Sequence, residues 1–335
     1  MKTLNVGVVG CGIFGEVVAD SFAGYHKCRL AAVCDLDEKR AKKLAAKHGC
    51  KHTTSVADIT ADARIEAVAV ATPDFAHRDV CVALAEAGKH VFVEKPLATS
   101  VPDAEAIVAA VRKAGVTCMV DFHNRYNPAI TAIKDRLASG RIGSPQAIFI
   151  RLSDRLEVAT KWFAWAGRSG PEWFLGSHIA DLACWLFDDY PTRIFADGRK
   201  DVLAARGIDC YDTVQIHLSF PRGMATLETS WIMPDSWPMI CDFSVSVQAT
   251  GGRADANLTS HGVAVAADRM EYPMILSRAA VGRQDFGFFK LPVRAFVDAV
   301  LDGRPSPIDA AEGLKNVKII AAALRSIESG KVVEM

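Results

Sequence analysis

The chain has 335 residues, half of them hydrophobic and 23% charged, and its 39 basic residues balance 39 acidic ones. That length exceeds one ordinary core and suits two domains with a cleft, and the composition is that of a packed globular protein rather than a disordered or fibrous one. With no net charge to steer it toward nucleic acid or an anionic membrane, neither is expected as a partner, and a small molecule is.

Nine cysteines, an odd count without a CxxC pair, read as reduced thiols. Met1 to Asn5 leads straight into an apolar run without a separate signal segment, and no apolar run approaches the length of a membrane span. A cytoplasmic location is the expectation.

From the N-terminus, short apolar runs alternate with helical stretches: Leu4 to Val9, a helix from Gly15, Leu30 to Cys34, a helix over Lys39 to His48, then Ala67 to Ala71. A helix over His77 to Gly88, the run His90 to Val93, a helix over Val101 to Ala114 and the run Thr117 to Val120 follow. Runs this short, apolar on both faces and separated by helices, specify a buried parallel sheet. After a helix over Pro128 to Ser139 the strands become consecutive: Ala147 to Leu152, Thr213 to Phe220, Ala225 to Ile232, Ile240 to Thr250 and Arg253 to Asn257. Pro221-Arg222-Gly223 marks a hairpin turn. A helix over His178 to Phe187 is expected to cover one sheet face, and helices over Lys290 to Leu301 and Ala310 to Ser329 close the chain. The expected fold is an α/β Rossmann domain, residues 1–122, followed by an α+β domain with a largely antiparallel open sheet, residues 123–335, whose C-terminal helix can pack back on the first.

Gly10-Cys11-Gly12-Ile13-Phe14-Gly15 sits between an apolar strand and a helix, where glycines let the backbone approach a pyrophosphate at a helix N-terminus. Gly10, Gly12, Ile13, Phe14 and Gly15 are therefore candidate cofactor-binding residues. Asp35, at the end of the second run, can accept both ribose hydroxyls of an adenosine and would repel a 2′-phosphate, which favours NAD over NADP. Two other strand ends, Thr72-Pro73-Asp74-Phe75-Ala76-His77 and Glu94-Lys95-Pro96, point to the same crevice. His48-Gly49-Cys50-Lys51-His52 carries soft ligand types but no set of four, and no metal is expected there.

With these strand-end motifs the chain resembles the glucose-fructose oxidoreductase and inositol dehydrogenase family, Gfo/Idh/MocA, over nearly its whole length, including Asn124-Arg125-Tyr126-Asn127-Pro128 and the pattern around Phe296 and Ala310 to Ser326. The resemblance implies that Lys95 lies beside the nicotinamide and substrate, that Glu94 contacts cofactor ribose, that Pro96 carries an unusual peptide geometry, and that Thr72, Pro73 and His77 line the nicotinamide ribose. The family's usual Asn after Thr-Pro is Asp74 here, and no role is carried over to it. The resemblance also places the helix opened by His178 over the nicotinamide. In most members an Asp stands four residues before that His; in this chain the position is Phe174.

Oxidising a secondary alcohol by hydride transfer leaves a proton to remove and a developing alkoxide to stabilise, and Lys95 can do both. His178 is the second candidate catalytic group, with Asp181, one turn away, as a candidate to orient its ring. Trp162, Phe163, Trp165, Trp173 and Phe174 offer apolar faces for a sugar ring, and Arg125, Arg168 and Lys161 offer hydrogen bonds to hydroxyls or a carboxylate. Lys95, Arg125, Trp173 and His178 are the candidate substrate-binding residues. Three functions fit: an NAD-linked dehydrogenase of a sugar, sugar acid or cyclitol; a reductase of another unsaturated bond, as in biliverdin reductase-like or dihydrodiol dehydrogenase-like relatives; and a non-catalytic dinucleotide sensor. An open antiparallel sheet must hide its second face, so a homodimer or homotetramer is expected.

Overall fold

The computed structural model describes residues 2–281 and 284–335. They form two compact units, one of Met1–His123 with Ala280–Val317, the other of Asn124–Ala279 with Lys318–Met335. The chain thus leaves the first unit after His123, returns at residue 280, and leaves again within its last helix.

The first unit is built on β1 (Leu4–Val9), α1 (Ile13–Ala23), β2 (Cys28–Cys34), α2 (Glu38–His48), β3 (Lys51–Thr53), α3 (Val56–Ala61), β4 (Ala67–Val70), α4 (His77–Glu86), β5 (His90–Glu94), α5 (Val101–Ala114) and β6 (Cys118–Asp121). Its sheet is parallel in the order β3-β2-β1-β4-β5-β6, the doubly wound order with a switch point between β1 and β4. Val, Ala and Phe residues of β1, β4 and β5 are buried because helices cover both faces. Local chemistry sets the helix ends. Asp37 accepts the amides of Lys39 and Arg40 at the start of α2, and Gly49 ends that helix at φ 64°, a left-handed conformation open to glycine. Ser100 caps α5 on the Asp103 amide.

Four aligned pairs run level across this sheet: Cys34 opposite Val9, Val9 opposite Val70, Val70 opposite Val93, and Val93 opposite Val120. Every strand of that row is apolar to the same height. One residue further along come Asp35, Gly10, Ala71, Glu94 and Asp121.

β3 and α3 are elements that the sequence pattern does not predict. Lys51-His52-Thr53 is polar and carries no hydrophobic run, and backbone pairing to Ala32, Val33 and Cys34 makes it an edge strand. The helix Lys290–Asp302 packs on α1, where Phe22, Phe92 and Phe296 are fully buried with ring centroids 6.1 and 5.6 Å apart along the series.

The second unit holds α6 (Pro128–Ala138), β7 (Pro145–Arg155), α7 (Ser177–Phe187), β8 (Arg193–Arg199), β9 (Thr213–Phe220), β10 (Gly223–Met233), β11 (Cys241–Ala249) and β12 (Gly252–Asn257). The order is β12-β11-β7-β10-β9-β8, with the terminal strand Val333–Glu334 beside β8. All neighbours are antiparallel except β7 with β10, so the sheet is mixed but mostly antiparallel. Ile148, Ile150, Leu218, Ile216, Leu227, Val245 and Val247 are buried on one face, against which α7 lies. The opposite face carries the row Phe195, His217, Thr226, Phe149 and Ser246, with Phe195 43% exposed. β8 escapes a sequence reading because only Ile194 and Ala196 of its RIFADGR segment point inward.

Phe296→Ala removes a ring from the α1–β5 core and should cost about 3–5 kcal/mol. Urea unfolding of the variant checks this; a loss below about 1 kcal/mol would contradict the packing described.

Candidate active site

The three glycines of the β1–α1 turn serve different contacts. Gly10 adopts φ +96°, and a Cβ there would lie 2.4 Å from the Ala71 carbonyl oxygen. A Cβ on Gly15 would meet the Gly10 carbonyl at 1.9 Å. Both glycines are demanded by the fold itself. Gly12 differs, since a Cβ on it would meet no protein atom within 4 Å. The backbone there is left open at the N-terminus of α1, where amide groups and the helix dipole suit a pyrophosphate. The residues present therefore fit a dinucleotide.

Asp35 closes this loop from the next strand. Its Oδ2 accepts the Cys11 amide at 2.7 Å and its Oδ1 the Asp37 amide at 2.8 Å. Each oxygen keeps a lone pair for a ribose hydroxyl. Burial, reinforced by the Asp35 charge, pushes the Cys11 thiol up to about 12, so it stands beside the loop as a neutral thiol. None of the nine cysteines is in a disulfide.

At the end of β4, the His77 ring sits with Nδ1 2.8 Å from the Pro96 carbonyl and Nε2 3.1 Å from the Thr72 carbonyl. A neutral imidazole has one N–H, so one of these two carbonyls accepts its hydrogen bond. His77 stands between the β4 and β5 strand ends. Burial lowers its pKa against the pull of Asp74. Asp74 is itself buried and accepts the Phe75 amide. Thr72 and Pro73 are half-buried at this edge.

Lys95 is 4% exposed, and its bond to Pro96 is cis. Beside it the sequence reading missed two residues. Parallel pairing sets Glu94 directly opposite Asp121, with a carboxyl oxygen of each within 4.8 Å of the other. His123 Nδ1 lies 3.7 Å from Asp121 Oδ2, and one donor atom from each of the three residues falls within 4.8 Å of the others. Two full charges about 4 Å apart repel by roughly 4 kcal/mol at an effective dielectric of 20, so such a pair retains a proton. Burial and then the neighbouring carboxyl raise Glu94, and burial raises Asp121. Burial takes His123 down to about 4, leaving a neutral ring packed 4.5 Å from Phe289. Asp121 could have been found by carrying the strand pairing through: an acid ending the apolar run Cys118-Met119-Val120 is out of place in a buried strand.

In the second unit His178 stands in the first turn of α7 and is 6% exposed. A π-helical turn, Glu172–Gly176, leads into α7 and carries Trp173 and Phe174. Such turns interrupt a regular helix and are frequent at functional sites. Phe174 belongs to an aromatic cluster, 4.9 Å from Phe163, 5.8 Å from Trp231 and 6.2 Å from Trp165. Trp231, from β10, completes a group that only its N-terminal members announced in the sequence. Asp181, the candidate to orient the His178 ring, is buried one turn further along α7. Its carboxylate takes a two-pronged contact from Arg125, Nε at 2.9 Å and Nη2 at 2.6 Å. That contact commits both residues to each other: Asp181 holds Arg125, and the Arg125 edge expected to meet substrate is engaged by Asp181.

Residues 4–122 match the family model described as the GFO_IDH_MocA oxidoreductase family, NAD-binding Rossmann fold, and residues 130–255 match its C-terminal domain. The chain belongs to this family. It is an oxidoreductase with an NAD-binding Rossmann domain. Among similar proteins, an uncharacterized oxidoreductase YrbE of Bacillus subtilis is 26% identical over 100% of this chain and 97% of its own. Inositol 2-dehydrogenase 1 of Saccharopolyspora erythraea is 28% identical over 99% and 96%. The crystal structure of GenD2 from gentamicin A biosynthesis, in complex with NAD, superposes with a TM-score of 0.87 at 26% identity over 100% of this chain and 97% of that one.

Gly12→Ala discriminates a binding glycine from a folding one. Its thermal midpoint should match the wild type, while NAD affinity measured by calorimetry should fall about tenfold or more. Equal affinity would place the pyrophosphate elsewhere.

Proposed function

We propose that this protein is an NAD-dependent dehydrogenase that oxidises a ring hydroxyl of a sugar, sugar acid or cyclitol, or reduces the matching ketone, with Lys95 as acid/base. The observation that carries the reading is Lys95 itself: a lysine buried among Glu94, Asp121 and His123 at the height where β1 delivers the dinucleotide loop. A proton acceptor beside a reacting hydroxyl needs a titratable side chain at that position. Bound NAD supplies a hydride acceptor. Gly10, Gly12, Ile13, Phe14 and Gly15 hold its pyrophosphate, Asp35 its adenosine ribose, and Thr72, Pro73, His77 and Glu94 line its nicotinamide side, with NADP disfavoured by the Asp35 charge.

Trp173 and the aromatic cluster around Phe174 present the apolar surface for a polyol ring, and His178 is the second group facing substrate. Arg125 and Asp181 position that helix as an ion pair. Among the described residues no helix is long and apolar enough to cross a membrane; a cytoplasmic enzyme with reduced thiols is proposed. The half-exposed outer face of the second sheet, with Phe195 and Met224, suits a homodimer or homotetramer. The cyclitol class is supported by the inositol dehydrogenases among its relatives. Phe174 favours one second reading, the reduction of another unsaturated bond, because an aromatic stands at the position of the family's customary acid.

A panel of polyols with NAD, myo-inositol among them, tests the proposal by NADH absorbance. Lys95→Ala should lower kcat about 10²- to 10⁴-fold while leaving NAD affinity unchanged. No turnover with any polyol, alongside consumption of NADH by a different acceptor, would overturn it; NAD binding without turnover on any substrate would favour a sensor.

A further inference from the structure

Glu94 and Asp121 end neighbouring parallel strands one residue above a row of valines, and both are buried, at 6% and 3% exposure. Apolar side chains would serve the sheet better at this level. Two buried carboxyls with oxygens within 4.8 Å of each other repel strongly when both are ionised, so the resting pair holds one proton and one negative charge, with room for a second proton. The charged and titratable groups acting on the pair are few. Lys95 reaches both carboxyls electrostatically, His123 has a ring nitrogen within 4.8 Å of both, and His77, at the start of α4, is also in the field of Lys95.

We propose that Glu94 and Asp121 form a proton-holding pair that takes from Lys95 the proton removed from the substrate hydroxyl. The proposal rests on the reading of Lys95 as acid/base. In the oxidative direction the substrate O–H bond breaks and its proton bonds to the Lys95 amine, while the carbon-bound hydrogen leaves with its electron pair to NAD. An N–H proton of the resulting ammonium then passes to the singly protonated pair, so Lys95 is again an amine and both carboxyls are protonated. The pair releases that proton to solvent before the next turnover, and reduction runs the same transfers backwards. Asp121 is a positioning and proton-storing residue in this scheme, acting on substrate only through Lys95.

Because both carboxyls are held above the usual carboxylate range, the folded state binds more protons than the unfolded one between the ordinary and the raised value. Stability from the pair is present at acid pH and is lost as pH rises through the folded value. Infrared difference spectra of the full chain across pH test the pair directly and need no variant for the first result. The wild type should keep a protonated-carboxyl band to about pH 7, far above ordinary carboxylates, and Asp121→Asn should lose it. No such band above about pH 6, or a band indifferent to Asp121→Asn, overturns the proposal.

Turnover supplies the second arm, with NAD and myo-inositol or whichever panel polyol is oxidised. Asp121→Asn should lower kcat about tenfold and displace the pH profile, and Asp121→Glu should restore the profile. An unchanged profile in Asp121→Asn, with Lys95→Ala inactive, overturns the proton store alone. Full activity in Lys95→Ala overturns both this and the reading it rests on. Stoichiometric zinc in the purified protein, lost on Asp121→Asn, would also overturn the pair, since a cation there needs both carboxylates ionised.

Discussion

Parallel strand pairing in register is the constraint on which the site depends. Val9, Val70, Val93 and Val120 lie in one row, and each strand leaves the apolar core at the same height. Parallel strands bring all their carboxyl ends to one edge, so residues distant in sequence become neighbours without further folding. Gly10, Thr72, Lys95 and Asp121 owe their proximity to that register. A slip of one residue in β6 would turn Asp121 to the opposite face and separate it from Glu94.

Above that edge, charge is arranged against the ordinary preference of a protein interior. Lys95, Glu94, Asp121 and His123 are buried together, and few other ionisable groups act on them. Buried carboxyls relieve repulsion by keeping a proton, and a buried imidazole by losing one. The same burial that costs stability places the two carboxyls where protonation changes near neutral pH, the condition an acid/base site needs. The second unit shows the other solution, the Arg125–Asp181 pair, in which opposite charges satisfy each other.

Much of this was legible in the sequence, unevenly. The alternation of apolar runs and helices identified the parallel sheet, and Gly10-x-Gly12-x-x-Gly15 with Asp35 located the dinucleotide, because both depend on local backbone and periodicity. β3 and β8 were not legible, since their residues are polar or alternate too briefly and their pairing is set by neighbours. Asp121 and Trp231 were missed because they join their partners only through strand register. His77 and Asp181 had the right residue types, but their partners, two carbonyls and an arginine, come from elsewhere in the chain.

The central claim is that the dinucleotide lies along this strand edge with its reactive ring at Lys95. A crystal structure of the protein with NAD tests it most directly. The account predicts the pyrophosphate against the Gly12 backbone, a ribose on Asp35, and the nicotinamide beside Lys95 and Glu94. A pyrophosphate away from Gly12, or a nicotinamide out of reach of Lys95, would contradict it.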